Sequence, residues 1–387
     1  MAQFGKPIND NDKTSVTTLL HEAIPLTGTL ASGTYGTFPD DTNVRTYTHG
    51  MFQSVFDYPF LSSSANHIYD LSVGFHTSSA FLTGTALSDA NKRKRINIYN
   101  SMAQVLAGFD QNADLRKFDA NGDLTEGSKY NNVFFVNLSR LLYKDEIQKG
   151  TFEMKLKMSG NFDDPVEVLT YADQGAATDY RINSPAGEYG VLYVTEQTGV
   201  ALSGPPTAPY ATQFSNVGTN GLAFAGLIFY QAGVVALTIT GSNDAGTGVN
   251  SAFPAIYSAG GNTQYTGSGL SSLKDLHGIL TSGSVDDIAN NFRHRLENIS
   301  FNNTTELNSS IYFCRLGHNE FNYSGNPSYL SQSKIVVKND ATDTPVSYIT
   351  TVGLYSANNE LLAVAKLSEP LRKTPETEYV LRVRLDY

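Results

Sequence analysis

The spacing of apolar residues changes several times along the chain, and each change marks an element. In SDANKRKRINIYNSMAQVLAGF, Ile98, Met102 and Val105 recur at helical intervals with Tyr99 and Leu106 beside them. Ser88 or Asp89 is available to cap the first turn and Gly108 follows the last, so a helix is predicted here. NVFFVN at 132–137 reads as a strand leading into a second helix, which carries Leu138, Leu141, Leu142 and Ile147 and stops at Gly150. TFEMKLKM then alternates Phe152, Met154, Leu156 and Met158 with Glu153, Lys155 and Lys157, the period of two that marks a half-buried strand.

From 159 to 283 small and polar residues dominate, and apolar residues come in short runs. GVLYVTEQTGVALSG and GLIFYQAGVVALTITG look alike, each predicting a strand, a small-residue turn and a second strand. The tract at 241–272 predicts long connecting loops. A helix follows at 284–297, where Val285, Ile288, Phe292 and Leu296 share a face. Five strands are predicted after it: SSIYFCRL, SKIVVKN, VSYITTVGLYS, NELLAVAKL and EYVLRVRLDY, with SANN at 356–359 as a hairpin turn. In the last strand Tyr379, Leu381, Val383 and Leu385 alternate with Val380, Arg382, Arg384 and Asp386, which predicts one buried face and one mostly charged face.

These elements predict an α+β fold, mainly antiparallel β. Residues 1–48 read as an extended arm, running over a neighbouring subunit or along its own domain. Residues 49–158 form a mixed α/β part packed with a C-terminal β-sandwich at 284–387. Residues 159–283 form a loop-rich β-hairpin insertion domain that projects outward.

Composition narrows the function. With 27 Lys and Arg against 37 Asp and Glu, the net charge is −10, which opposes a nucleic-acid backbone. Charged residues reach only 17%, below the usual ~25%, while 22 Tyr and 21 Phe supply contact area at low entropy cost. Such a surface suits packing against other subunits. The single cysteine, Cys314, rules out an intrachain disulfide and a cysteine-rich zinc site. Neither the polar first 20 residues nor any apolar run predicts a secretory signal or a membrane helix, the longest run being LAFAGLIFY at 222–230.

Chemically diagnostic motifs are missing: no G-x-S-x-G, H-E-x-x-H or phosphate-binding G-x-x-x-x-G-K occurs. DQNADLRKFDANGDL offers Asp110, Asn112 and Asp114, then Asp119, Asn121 and Asp123, at the spacing that begins a calcium loop. Leu115 and Leu124 occupy the position that needs glycine, and no glutamate closes either loop, so turn chemistry at Asn121-Gly122 explains the tract better. The run Lys92, Arg93, Lys94, Arg95 opens a helix, where cations oppose the macrodipole; it reads as a solvated face, with a grip on an acidic neighbour or a phosphate as the alternative. The histidines at 21, 49, 67, 76, 277, 294 and 318 form no pair at ligand spacing, and the pairs Asp163-Asp164 and Asp286-Asp287 read as caps. No catalytic, cofactor-binding or metal-ligating residue is assigned, and no enzymatic activity is expected.

The tract FCRLGHNEFNYSGNPSYL, together with PVSYITTVGLYSANNELLAVAKLSEPLRKTPETEYVLRVRLDY, resembles the VrlC-like virion structural proteins of T4-like phages that infect cyanobacteria. MFQSVFDYPFLSSSANHIYDLSVGF, KRINIYNSMAQVLAGFD and FFVNLSRLLYKDEIQKGTFEM extend the likeness over roughly 49–158 and 284–387. YITTVGLYSANNELLAVAKL is also similar to the strand-turn-strand of phage tail-fibre attachment regions. The resemblance implies a structural part of a contractile tail, at the baseplate, made in the host cytoplasm and carried in the virion. Its implied partners are other tail or baseplate proteins, copies of itself in a symmetric assembly, and tail fibres. No membrane insertion is implied. The alternative is an adhesin-like module whose aromatics Tyr210, Phe229, Tyr230, Tyr257 and Tyr265 stack on host carbohydrate. A hydrolase lacks a constellation from which to build it.

Overall fold

The computed structural model describes residues 5–27, 42–82, 90–125, 127–160, 165–207, 216–239, 283–324 and 342–387, with short pieces at 214, 327, 330–331, 334–335 and 340. It is mainly antiparallel β, with 48% strand and 13% helix. The chain forms two compact units: a central unit, His21–Thr305, and a terminal unit made of Met1–Leu20 and Glu306–Tyr387. This partition differs from the four predicted segments 1–48, 49–158, 159–283 and 284–387. The boundaries fall within two long strands, β1 (Lys13–Thr27) and β14 (Leu296–Leu316).

In the central unit the strands β2 (Val44–Thr46), β3 (Gln53–Phe56), β4 (His67–Phe75) and β5 (Asn132–Leu138) lie side by side, each antiparallel to the next. β5 continues not to β6 (Glu146–Ile147) but to β13 (Val234–Thr238), and the order runs on through β12 (Ala223–Phe229), β10 (Gly187–Gln197), β8 (Pro165–Ala172) and β7 (Glu153–Gly160) to β14. Two short strands, β9 (Arg181–Ser184) and β11 (Val200–Ala201), pair with β10. The region predicted as an outward insertion therefore supplies the middle of the sheet. Both predicted hairpins exist, β10 with the two-residue β11 and β12 with β13, yet β10 and β12 also pair with each other.

Packing explains that placement. Neighbours in a strand point to opposite faces, and in β5 Phe134 lies 4.6 Å from Phe292 while Phe135 lies 5.5 Å from Phe118. Phe292 belongs to a helix, α3 (Val285–Arg295), and Phe118 meets Tyr99 of α1 (Ala90–Leu106) at 5.5 Å and Phe229 of β12 at 6.3 Å. With cover on both sides, an antiparallel strand reads as an uninterrupted apolar run rather than an alternating one. FFV, VLYV, LIF and VVAL are such runs, all buried. Each fully covered aromatic there contributes about 2–3 kcal/mol relative to exposure.

The two long helices form where predicted, but Val105, predicted on the packed face of α1 with Ile98 and Met102, is 62% exposed, and the predicted caps Ser88 and Asp89 lie outside the described residues. α1 ends where Gly108 takes φ +76° and donates to the Ala103 carbonyl. α3 opens with a capping box: Ser284 Oγ accepts from the Asp287 N–H at 3.1 Å, and Asp287 Oδ2 accepts from the Ser284 N–H at 2.9 Å. The helix predicted between Leu138 and Gly150 shrinks to one turn, α2 (Arg140–Tyr143). The chain after it pairs instead with β14, with Ile147 opposite Asn303, because Ile147 is buried there.

In the terminal unit β14 pairs with β19 (Tyr379–Asp386), Ser309 opposite Asp386 and Leu316 opposite Tyr379. β17 (Ser347–Tyr355) and β18 (Leu361–Lys373) form a separate two-stranded sheet, as do β15 (Leu330–Ser331) and β16 (Lys334–Ile335). The predicted turn at 356–359 joins β17 to β18, with Asn359 at φ +61° and the Ser356 N–H donating to Glu360 O. In β19 the predicted alternation holds, Val383 being buried and its neighbours Arg382 and Arg384 exposed.

One contact sets how closely α1 approaches the sheet. A Cβ at Gly74 of β4 would stand 2.8 Å from the Tyr99 Cα and backbone nitrogen, so helix and strand meet backbone to backbone. Gly74→Ala is therefore expected to destabilise the central unit by about 2–3 kcal/mol, because only a backbone shift relieves the clash. Urea denaturation of the variant measures it; an unchanged midpoint would contradict this packing.

Candidate functional site

The chemically suggestive residues fall into four clusters, held largely by their own neighbours, although the buried Asp119 Oδ1 and Asp286 Oδ1 make no hydrogen bond. In the first, Asp110 Oδ1 accepts from the N–H groups of Asn112 and Asp114, both at 2.8 Å, which closes a turn over the oxygen a cation would need. Ala120 and Tyr130 donate across to Ser128 and Phe118, so the chain pairs across at 120 and 128 rather than directly on either side of the predicted tight turn at Asn121-Gly122. Lys129 Nζ sits 2.9 Å from Asp119 Oδ2, and Asn121 Nδ2 donates to Asp123 Oδ2 at 2.9 Å. Among the described residues no three His, Cys, Asp or Glu side chains gather as a metal set.

The second cluster lies on β3 and β4. Ser54 Oγ donates to Asp70 Oδ1 at 2.5 Å, and His67 Nε2 lies 2.8 Å from the same oxygen. The carboxylate stands between serine and imidazole. A nucleophilic triad needs the imidazole in the middle, so His67 cannot take the Ser54 proton. Sequence spacing gave no sign of this cluster, since its members come from two strands.

The third surrounds Lys149, whose Nζ lies 2.6 Å from Glu188 and 3.4 Å from Glu146 and faces the rings of Tyr180 and Tyr230 at 5.1 and 5.6 Å. Tyr230 donates to Asp173 Oδ2 at 3.0 Å, and buried Asp173 also accepts from the N–H groups of Gly150 at 2.7 Å and Phe152 at 3.0 Å. Desolvation pushes the Asp173 carboxyl up to about 6 despite these donors. The group anchors the start of β7.

The fourth joins α1 to α3. Arg95 is 0% exposed, its guanidinium 5.0 Å from the Phe75 ring and its Nε donating to Asn91 O at 3.3 Å. The basic run is thus not a uniformly solvated face: Arg93 is exposed, while Arg95 is interior. Burial, then Asp287, pushes the Asp286 carboxyl up to about 6, opposed by Lys94 and His49.

The remaining candidates are structural or lie elsewhere. His76 packs edge-on against Tyr99 at 5.4 Å and is held down at about 4, by burial first and then by Lys117, so it stays neutral. His21 lies 3.2 Å from Thr304 Oγ1, and His318 lies 3.2 Å from Glu378. The Cys314 thiol is half-buried and raised by burial and then by Asp12, which makes a poor nucleophile. Phe229 and Tyr230 are 0% exposed and cannot stack on a sugar. Tyr210, Tyr257, Tyr265, His277, Asp163 and Asp164 lie outside the described residues.

What the terminal unit offers is a surface. Its buried apolar side chains among the described residues are Leu316, Leu354 and Val383, each still 8% exposed, whereas the central unit buries dozens more completely. Of the twenty-four large apolar residues exposed among the described residues, fourteen belong to this unit. Its order rests on polar links instead. Thr17 Oγ1 donates to Asn308 Oδ1 at 2.7 Å, and Arg315 Nε to Asp12 Oδ1 at 2.6 Å. The ammonium of Lys373, 0% exposed, donates to His318 O, Asn322 Oδ1 and Thr374 O at 3.1, 2.9 and 2.7 Å.

Lys373→Met would leave three oxygens without that donor. A loss of about 2–4 kcal/mol is expected in the terminal unit, read as faster amide exchange in 317–322 and 347–373 with the central unit unchanged. A second expectation concerns pH. Asp119, Asp173 and Asp286 each have a folded pKa raised to about 6, chiefly by desolvation. Each binds its proton more tightly folded than unfolded, so its contribution is complete below about pH 4 and lost as pH rises through about 6. The denaturation midpoint of Asp286→Asn is expected to depend less on pH across that window than the parent's; an identical slope would contradict the shift.

No family model matches the chain, and no curated protein or solved structure matches it either.

Proposed function

We propose that this chain is a structural subunit of a contractile bacteriophage tail, a baseplate component that works by packing between other tail proteins. The observation that carries the assembly part of the reading is the terminal unit, whose strands expose apolar side chains instead of enclosing a core. An isolated unit of that kind is poorly stabilised, because burial is the main favourable term in folding and here it is small. Contact with other proteins would supply the missing burial, and large exposed apolar area is the usual mark of such a surface.

The location in a phage tail rests on the resemblance of the segments 49–158 and 284–387 to VrlC-like virion proteins. The arrangement of clusters supports a role without chemistry: the Ser54, Asp70 and His67 order blocks proton relay, and Lys149 neutralises the glutamates beside it. The carbohydrate-binding alternative loses two of its five aromatic platforms, Phe229 and Tyr230, to the interior.

Purified particles probed by electron microscopy with an epitope-labelled copy test the proposal. The label is expected at the tail in several symmetric copies. Particles that carry none of this chain would overturn the reading.

A further inference from the structure

We propose that the outer edge of β17 pairs antiparallel with the same strand of a second copy of this chain, joining two β17–β18 hairpins into one four-stranded sheet. The inference deepens the assembly reading above and rests on it, naming the partner and the surface.

A two-stranded antiparallel sheet is marginal by itself in water, and three or more strands with an apolar face are needed for independent stability. β17 and β18 form such a two-stranded sheet, so among the described residues β17 presents one edge without a neighbouring strand. Natural edges are blunted by lysine, other charges or proline. β18 has those devices: Lys366, Glu369, Pro370 and Arg372. β17, SYITTVGLY, has neither a charge nor a proline over its nine residues and is rich in β-branched and aromatic side chains. It is an edge built to pair.

Three observations favour a second copy as the occupant. A strand edge placed antiparallel to itself about a two-fold axis matches its own donors and acceptors, and an uncharged strand meets no like charge in any register. The terminal unit carries 10 Lys and Arg against 11 Asp and Glu, whereas the central unit carries 17 against 26, so the unit that would self-associate is itself nearly neutral. Finally, Tyr355, Leu361 and Val364, each 51–53% exposed, gather on one face of the hairpin over Gly353; Tyr355 pairs with Leu361, and Gly353 with Val364. Pairing across a two-fold axis would bring two such patches onto one sheet face.

Thr350 lies near the middle of β17, is exposed, and stands at the irregularity between Ile349 and Thr351, where no β18 residue is its partner. A charge there leaves the hairpin's own register untouched and places like charges together only in a self-paired edge. Light scattering on the full-length chain is expected to give twice the chain mass for the parent. Thr350→Lys and Thr350→Glu are each expected to give the single-chain mass with unchanged circular dichroism, and an equimolar mixture of the two is expected to regain the doubled mass. A monomeric parent, variants that keep the parent's mass, or a mixture that stays monomeric would overturn the pairing. If the chain is nevertheless found in purified tails, the tail reading stands without the pairing; if the mass shifts occur but particles lack the chain, the reverse holds.

Discussion

Coverage of both faces of the antiparallel strands β4, β5, β13, β12 and β10 is the constraint on which the central unit depends. A strand in the middle of a sheet already has its backbone hydrogen bonds answered by two neighbours. What remains is to exclude water from both rows of side chains. Phe134 against Phe292 on one side, and Phe135 against Phe118 and Tyr99 on the other, do that at β5. The close approach of α1 at Gly74, the capping box that starts α3 and the loop that delivers Phe118 all serve this coverage.

Polar groups inside the protein are held rather than poised. Arg95 spreads its charge over the Phe75 ring, Asp173 ties two backbone N–H groups and a tyrosine hydroxyl to the start of β7, and Lys373 draws three oxygens onto the end of β18. Burying a charge is tolerated only when it is paired or hydrogen-bonded. Groups so engaged hold segments in place, and the raised pKa of Asp173 follows chiefly from its burial.

The terminal unit reverses the pattern. Hydrogen bonds and ion pairs between 5–20 and 306–387 organise it, while its apolar side chains face outward. Surface ion pairs contribute little singly, about 0–1 kcal/mol. The difference between the units is one of burial: the central unit encloses its apolar side chains within the chain, and the terminal unit leaves most of its own exposed.

The sequence by itself determined the elements whose patterns are local. Ile98, Met102 and Val105, with Tyr99 and Leu106 beside them, marked α1, although Val105 proved exposed; Val285 to Leu296 marked α3, and the alternations at 152–158 and 379–386 marked β7 and β19, because a side chain's direction follows from the geometry of its own segment. Tertiary structure decided what depends on partners far along the chain. The hairpins at 190–204 and 226–241 looked like a separate projection, since nothing within them says that β13 pairs with β5, about a hundred residues away. The tract at 138–150 had helical spacing and became one turn and a strand because β14 offered Ile147 a buried ladder position. Lys92 to Arg95 looked uniform, yet the fold buries Arg95, with its guanidinium 5.0 Å from the Phe75 ring. The exposed edge of β17 was likewise invisible to periodicity, because whether a strand has one neighbour or two is settled by the fold around it and not by its own residues.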